Sequence, residues 1–592
     1  MRYLRMLTNS ALGGLIVAAY LTVLVLHLNP ALGMSPARVG PLFVTLALFY
    51  GIHAAALFYV LIVVRQIFGA EVFSPGWFSV RLLIWLFAGA SAAGATLMWM
   101  NLVGFQAALD PQVTQRMTAG AVGLTACAAV LGAFALLHYS FGRRGSTLTA
   151  LMLVVIALAS FALPLAARGP AVDEGPAGRP AVVSIGRAQT DALPRVSIIL
   201  LDGASLEFIA PAAAEGRLPN FGKLLDTGAV MHLATLRPTQ PAPVWTAVAT
   251  GKLPYKNGIR SAATYAFRGG DRHITLLPDY CFAQALVRFG FLVEEPHTSA
   301  AVATRPLWDI LGGLGISTGI VGWPLTFPAT PVRGYLVSDE FSRTVGGSPQ
   351  FALEGDPAIA YPEEALPLLA AARDTSTLPP PSAGLEATAA SWPPSEGANP
   401  AATNPLSMDM TYERVASNLQ SSYPAQVTAV RYPGLDAIGH YYLRYAMPGA
   451  FGDVTDEDRR RYGRVLEHYY AHIDTVIARA AAALGPTDLL LVVSGFGMEP
   501  LSPEKRLLER AVGNASLSGT HERAPDGFLI AYGAAVRSGR LTRGSILDVA
   551  PTLLYFLGLP VGRDMDGYAR PDIFSQSFTT ERPITFIPSY DR

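Results

Sequence analysis

Cysteine is almost missing from this 592-residue sequence: Cys127 and Cys281 lie far apart in the chain. Two such residues build neither a disulfide framework nor a cysteine zinc site. Charge is scarce as well, with Asp, Glu, Lys and Arg making up 15% of the chain, against roughly 25% in ordinary soluble proteins. The 44 basic and 44 acidic residues cancel. No global cationic field therefore marks a nucleic-acid binder, and no nucleic acid is expected as a partner. Apolar residues take the place of charge, and mean hydropathy is +0.33. Against typical domains of about 100–200 residues, the length excludes a single small module.

The apolar excess is concentrated in residues 1–168, in five runs near 9–28, 40–64, 82–104, 117–139 and 147–167. Each approaches the ~20 residues a helix needs to cross the hydrocarbon core. The first run is longer than a signal-peptide core and four like it follow, so it reads as a retained helix. Arg2, Arg5, Arg65, Arg81, Arg143 and Arg144 fall on one side of these runs, Arg38 and Arg116 on the other. By the positive-inside rule the N-terminus is cytoplasmic, and five crossings place the rest of the chain outside. The expectation is a multi-pass protein of the cytoplasmic (inner) membrane with an extracytoplasmic, periplasmic C-terminal domain. His53 and His138 stand out among the few ionisable residues of the runs. Single histidines near helix ends read first as interfacial groups, not proton relays, so the five helices read as an anchor.

Residues 169–194, rich in Gly, Pro and Ala, read as a linker, and 195–592 as a globular α/β domain. Within it VSIILL before Asp202, AQVTAVRY before Pro433 and DLLLVVS before Gly495 are continuously apolar runs. Continuity, in place of alternation, points to strands buried on both faces of a parallel sheet. Helical segments intervene, notably one from Asp456 onward that Thr455 can cap. Strands alternating with helices predict a doubly wound domain with a mainly parallel sheet. The proline-rich stretch 374–405 has almost no apolar periodicity and reads as a disordered surface insertion.

Ligands of open parallel sheets bind beyond the carboxyl ends of the strands. Asp202 directly follows the first predicted strand, Asp436 and His440 follow another, and His521 lies in the loop GNASLSGTHERAPDG. Carboxylate oxygen and imidazole nitrogen are the ligand types of catalytic zinc, which takes three protein ligands and keeps an open position. Taken singly, an Asp-Gly after a strand is an ordinary turn and a lone His a packed residue. Their joint placement is what points to a divalent metal.

The order of motifs carries a resemblance. VSIILLDGA, GRLPNFGKLLDTGA and LATLRPTQPAPVWTAVATGKLPYKNGI are followed by PLWDILGGLGISTGIVGWPLTFPATPVRGYLVSDEF and the Asp436-x-x-x-His440 pair. VVSGFGM, GTHERAPDGFLIAYG and DVAPTLLYFLGLP complete the series. Together they resemble the type I phosphodiesterase/nucleotide pyrophosphatase family of the alkaline phosphatase superfamily, over most of residues 195–567. The resemblance implies an alkaline-phosphatase-like domain with two metals, usually zinc, flanking a Thr or Ser nucleophile. Carried over by motif, Asp436, His440 and His521 fall on the first metal site and Asp202 on the first ligand of the second.

The remainder of that second site departs from the family. Pro241 stands at the nucleophile position, Ser494-Gly495-Phe496-Gly497-Met498 stands where the family reads SDHGM, and Asn257 replaces the histidine of HGI. Thr239, two residues before Pro241, is the candidate for a displaced nucleophile. One metal site is expected intact and the second depleted. The implied activity is a membrane-anchored, metal-dependent phosphodiesterase or phosphatase-like hydrolase of low activity, acting on a phosphorylated small molecule, lipid or glycan. Two alternatives stand beside it. One is a degenerate member that binds a phosphorylated glycan or lipid or an envelope partner. The other is a phospho-group transferase, whose architecture, as in lipoteichoic acid synthases and lipid A phosphoethanolamine transferases, is also similar.

Overall fold

The computed structural model describes residues 2–68, 80–141, 146–169, 193–267, 273–278, 285–345, 348–351, 356–372, 405–512 and 515–591. The linker and the proline-rich insertion expected at 169–194 and 374–405 lie outside these residues apart from their ends. The chain forms two compact units, residues 1–175 with 263–296, and residues 176–262 with 297–592.

The first unit contains α1 (Arg2–Leu28), α2 (Pro36–Leu46), α3 (Ile52–Phe68), α4 (Val80–Gly104), α5 (Pro111–Phe141) and α6 (Ser146–Ala167). A π-helical turn, Ala47–Gly51, joins α2 to α3 into one rod. Among the described residues, five helices are thus long and apolar enough to cross a membrane: Tyr3–Leu28, Pro36–Val64, Leu82–Gly104, Pro111–Leu137 and Ala150–Ala167. They coincide with the five apolar runs. Side-chain hydrogen bonds link neighbouring helices, one of them buried and one exposed. The Tyr20 hydroxyl lies 2.6 Å from that of Ser160, and Trp99 Nε1 donates to Thr125 Oγ1 at 3.1 Å. His53 is exposed, with Nδ1 on the Phe49 carbonyl one turn back. For His138 only the backbone, in α5, is described.

Residues 263–296 form an excursion that belongs to this first unit and had no signal in the sequence reading. Its strand 263–267 pairs antiparallel with 273–274 and with 292–296. Tyr265, Ile274, Leu286 and Leu292 are buried with Val25, Leu26, Leu42 and Leu46 of the helices. Asn29 clasps the excursion from both sides, donating to the Leu276 carbonyl at 2.8 Å and accepting from its N–H at 2.7 Å.

The second unit is built on a ten-stranded sheet. Its strands are β1 (Val196–Leu201), β2 (Ala229–Ala234), β3 (Thr318–Val321), β4 (Gly334–Val337), β5 (Ala360–Tyr361), β6 (Val427–Tyr432), β7 (Leu489–Phe496), β8 (Asp526–Tyr532), β9 (Gly539–Arg540) and β10 (Gly544–Ser545). Their order is β5-β4-β3-β6-β1-β7-β8-β2-β9, with β10 also on β2. The run β4-β3-β6-β1-β7 is parallel throughout, and β8 runs antiparallel to both neighbours. β1, β6 and β7 are the three predicted strands. β1 and β7 are largely buried, as double coverage of a parallel sheet requires, and β6 mixes buried with half-buried positions. The unit is therefore mixed α/β, built on a mostly parallel central sheet. The helix expected from Asp456 is two helices. Thr455 caps Asp456–Tyr462 by accepting from the Asp458 N–H, and Gly463-Arg464 separates that helix from Val465–Ala482. Glycine, poorest of the non-proline helix formers, sits at the break.

Candidate metal site

Three loops at the carboxyl edge of β1, β6 and β7 converge on one place. Asp202 directly follows β1, and the next residue has to be glycine. Gly203 sits at φ +71°, and a Cβ there would come within 3.0 Å of the Asp436 Cα. The helix Gly434–Ala446 begins two residues after β6 and carries Asp436 in its first turn. His440, four residues on, lies on the same face. Asp409 fastens the start of this helix, accepting from the Gly434 N–H at 3.2 Å and from the Tyr469 hydroxyl at 2.8 Å.

Asp436, His440 and His521 each bring one ligand atom within 4.8 Å of the others. His440 Nε2 lies 3.4 Å from Asp436 Oδ2, and His521 Nε2 lies 3.9 Å from Asp436 Oδ1. The Nδ1 atoms face carbonyls, that of His440 on Gly519 at 2.8 Å and that of His521 on Thr239 at 2.9 Å. A carbonyl only accepts, so each Nδ1 carries the proton and each Nε2 lone pair is left toward Asp436. Asp436 Oδ1 is buried without a hydrogen-bond partner. A buried carboxylate oxygen left unmatched beside two oriented imidazoles is a donor set that a divalent ion completes. One metal fits.

Without a metal the same groups form an ion pair. Burial works against the Asp436 charge, but His440, His521 and Arg431 outweigh it and hold its pKa at about 2. Burial works against a charged His440 too, and Asp436 outweighs it, lifting the pKa to about 9. The Asp436 contribution to stability is present above its ordinary 3.8 and is lost as pH falls through about 2. The His440 contribution is present below its ordinary 6.5 and is lost as pH rises through about 9. Metal-stripped protein is therefore expected to lose stability between pH 6.5 and about 9. His440→Gln should flatten that slope in thermal melts with chelator, and an unchanged slope would contradict the assignment.

The second position is closed. Asp202 is 1% exposed, and both of its oxygens are engaged. Oδ1 accepts from Trp245 Nε1 at 2.8 Å, and Oδ2 accepts from Arg431 Nε at 3.0 Å and Nη2 at 2.5 Å. Burial opposes the Arg431 charge, but Asp202 outweighs it and pushes the guanidinium pKa further up. A Cβ at Gly495 would lie 2.6 Å from Val244 Cγ1, so an aspartate cannot stand there unless the Val244 side chain or its helix, Pro241–Thr250, shifts. Phe496 is fully buried, its ring 4.9 Å from that of His521. Asn257 holds its own turn, donating to the Lys252 carbonyl and accepting from the Ile259 N–H. A second metal does not fit these residues.

Pro241 is the first residue of its helix, a position where the missing N–H and fixed φ suit proline. Thr239 is buried. Its hydroxyl donates to the Leu236 carbonyl at 2.7 Å, and its own carbonyl orients His521. Ser494 Oγ lies 2.9 Å from the Ala204 carbonyl and 2.8 Å from that of Phe496, ties that serve the loop. Arg431 is the residue sequence reasoning passed over. Its signal was an arginine inside the apolar strand VTAVRY, where a buried charge must have a partner.

A family model for type I phosphodiesterase / nucleotide pyrophosphatase matches residues 196–540. Among solved structures, murine ectonucleotide pyrophosphatase/phosphodiesterase 5 matches with 13% identity over 64% of this chain and 100% of that one, at a TM-score of 0.34. An inactive variant of that murine protein, in complex with AMP, matches with 12% identity over 66% and 99%, at a TM-score of 0.33. No curated protein matches the chain. With more than half of its length under the family model, the chain belongs to the type I phosphodiesterase/nucleotide pyrophosphatase family.

Proposed function

We propose that this protein is a membrane-anchored, extracytoplasmic hydrolase of phosphate esters that works with a single divalent ion, zinc by preference, and turns phosphodiesters over slowly. One observation carries the reading: Asp436, His440 and His521 converge with their tautomers fixed, beside an Asp202 whose charge Arg431 already neutralises. A divalent ion held by the three would supply Lewis acidity toward a phosphoryl oxygen. Gly519 and Thr239 hold the two imidazoles in place, and Arg431 fixes Asp202 as an ion pair. Family membership and the AMP carried by the murine relative's variant support a phosphorylated ligand, which here includes a lipid or glycan. The five apolar helices support the anchor, and the uneven division of the loop arginines supports the outward placement.

A second reading, a member that binds a phosphorylated ligand or an envelope partner without turnover, is favoured by Pro241 and by the engaged Thr239 hydroxyl. A transferase with a covalent phospho-enzyme finds no nucleophilic atom at position 241. Metal analysis of the purified full chain is expected to give one equivalent per chain, and His440→Ala should remove it. Two equivalents in the unmutated protein, or one retained in His440→Ala, would overturn the one-metal site.

A further inference from the structure

The excursion at 263–296 leaves aromatic surface exposed where it meets the second membrane rod. Phe289 is 59% exposed and Val293 42%, on a short stretch that carries no other evident role. The Phe289 ring centroid lies 5.7 Å from that of Phe49, and Phe291 lies 5.4 Å from the same ring. Phe49 belongs to the π-helical turn of the rod, and its neighbours Leu48 and Ile52 are themselves 53% and 57% exposed. Phe289 thus continues an apolar surface that the rod already presents outward. Glu294 and Glu295 follow at once and are also exposed, so the strand passes from apolar to acidic within two residues.

The depth of this patch can be worked out along the helix. Arg65 marks one boundary of the second span, and Phe49 stands sixteen residues before it. At 1.5 Å per residue that separation is about 24 Å, against a hydrocarbon core of ~30 Å. The span Pro36–Val64 is about 43 Å long, so with Arg65 at one boundary its first third extends beyond the core and Phe49 falls about 6 Å inside the opposite boundary, the depth at which interfacial segments insert. Phe and Leu are among the apolar side chains that interfacial segments bury at that level.

We infer that residues 285–293 are a membrane-interface contact: a segment of the chain between two stretches of the phosphodiesterase unit, seated in the headgroup/acyl boundary with Phe289 as the inserted side chain. The partner is the lipid surface, because the patch is continuous with the lipid-facing flank of the rod. The inference rests on the first unit being embedded in a bilayer, and its test separates the two claims.

The test uses the full chain, with Cys127 and Cys281 replaced by serine, in nanodiscs of phosphatidylethanolamine and phosphatidylglycerol. A spin label is placed in turn at Phe289→Cys, Val293→Cys, Leu57→Cys and Gln576→Cys. Leu57 is 57% exposed on α3, and Gln576 lies on the surface of the second unit. Collision with oxygen, which concentrates in lipid, is compared with collision with a water-soluble nickel chelate. The oxygen-to-nickel ratio is expected to be several-fold higher at 289 and 57 than at 576, with 293 between them. A nickel-dominated label at 289 beside an oxygen-dominated one at 57 would sink this inference alone. Nickel dominance at 57 would sink the membrane reading with it. A label at 289 shielded from both reagents would mean that protein, such as a second copy of the chain, covers the patch, and would also overturn the proposal.

Discussion

Arg431→Ala is expected to destabilise the protein by about 3–5 kcal/mol, the loss typical when one partner is removed from a buried ion pair. The size follows from what is left behind. Asp202 is 1% exposed and would keep only the Trp245 Nε1 bond, a carboxylate in the interior with no cation against it. Asp202→Ala should cost a similar amount, because the Arg431 guanidinium would lose both of its bonds to that carboxylate. The double variant Arg431→Met, Asp202→Leu should recover much of the loss, since apolar side chains of like volume often replace a buried pair at little cost. Trp245 reports on the change directly, through its bond to Asp202 and its ring contact with Trp323 at 6.0 Å. Fluorescence-detected unfolding in detergent therefore reads the relevant unit. A loss under about 1 kcal/mol in Arg431→Ala would mean that solvent reaches the pair and screens it as at a surface. The metal count should stay at one in this variant, because a freed Asp202 alone cannot hold an ion and Gly495 and Phe496 offer it no ligand atom.

The parts of this protein that sequence made legible are those where chemistry is local. β1 and β7 were readable because a strand covered on both faces is apolar almost throughout, as IILL of β1 and LLLVV of β7 are, while β6 was legible despite the arginine it carries. Asp436 and His440 were readable as a pair because four residues of helix place them on one face. Arg431 was not, because its meaning lies in Asp202, 229 positions away, and no short-range pattern announces such a partner. Position 495 was legible as a departure from the family's motif but not as a crowded one, since the obstruction is the Val244 side chain on another element. The excursion escaped for the same reason in larger form. Its strands look like ordinary domain strands, and only the buried contacts of Tyr265, Ile274, Leu286 and Leu292 with the helices assign it to the first unit.

Turnover of a chromogenic phosphodiester is expected to fall well below the range of about 1 to 10³ per second in which most enzymes work. By the family resemblance, a covalent route would use a hydroxyl at position 241 and a cation beside it to lower that hydroxyl's pKa. Pro241 removes the atom, and the bond between Arg431 and Asp202 occupies the carboxylate on which a second cation would rest. Pro241→Thr by itself should therefore not raise the rate, because it supplies a hydroxyl without the charge that would activate it. His440→Ala should abolish whatever remains, under zinc and under manganese alike. Thr239→Ala is expected to leave the residual rate nearly unchanged, since the hydroxyl it removes donates to Leu236, while the backbone carbonyl that orients His521 is kept. Each variant separates one account from another. Several turnovers per second in the unmutated protein would show that the site is not depleted. Loss of that activity in Thr239→Ala alone would make Thr239 the displaced nucleophile. No turnover, together with retention of a phosphorylated ligand that depends on His440, would leave a binding protein built on a hydrolase site, with one cation position open to metal and the other filled by its own arginine.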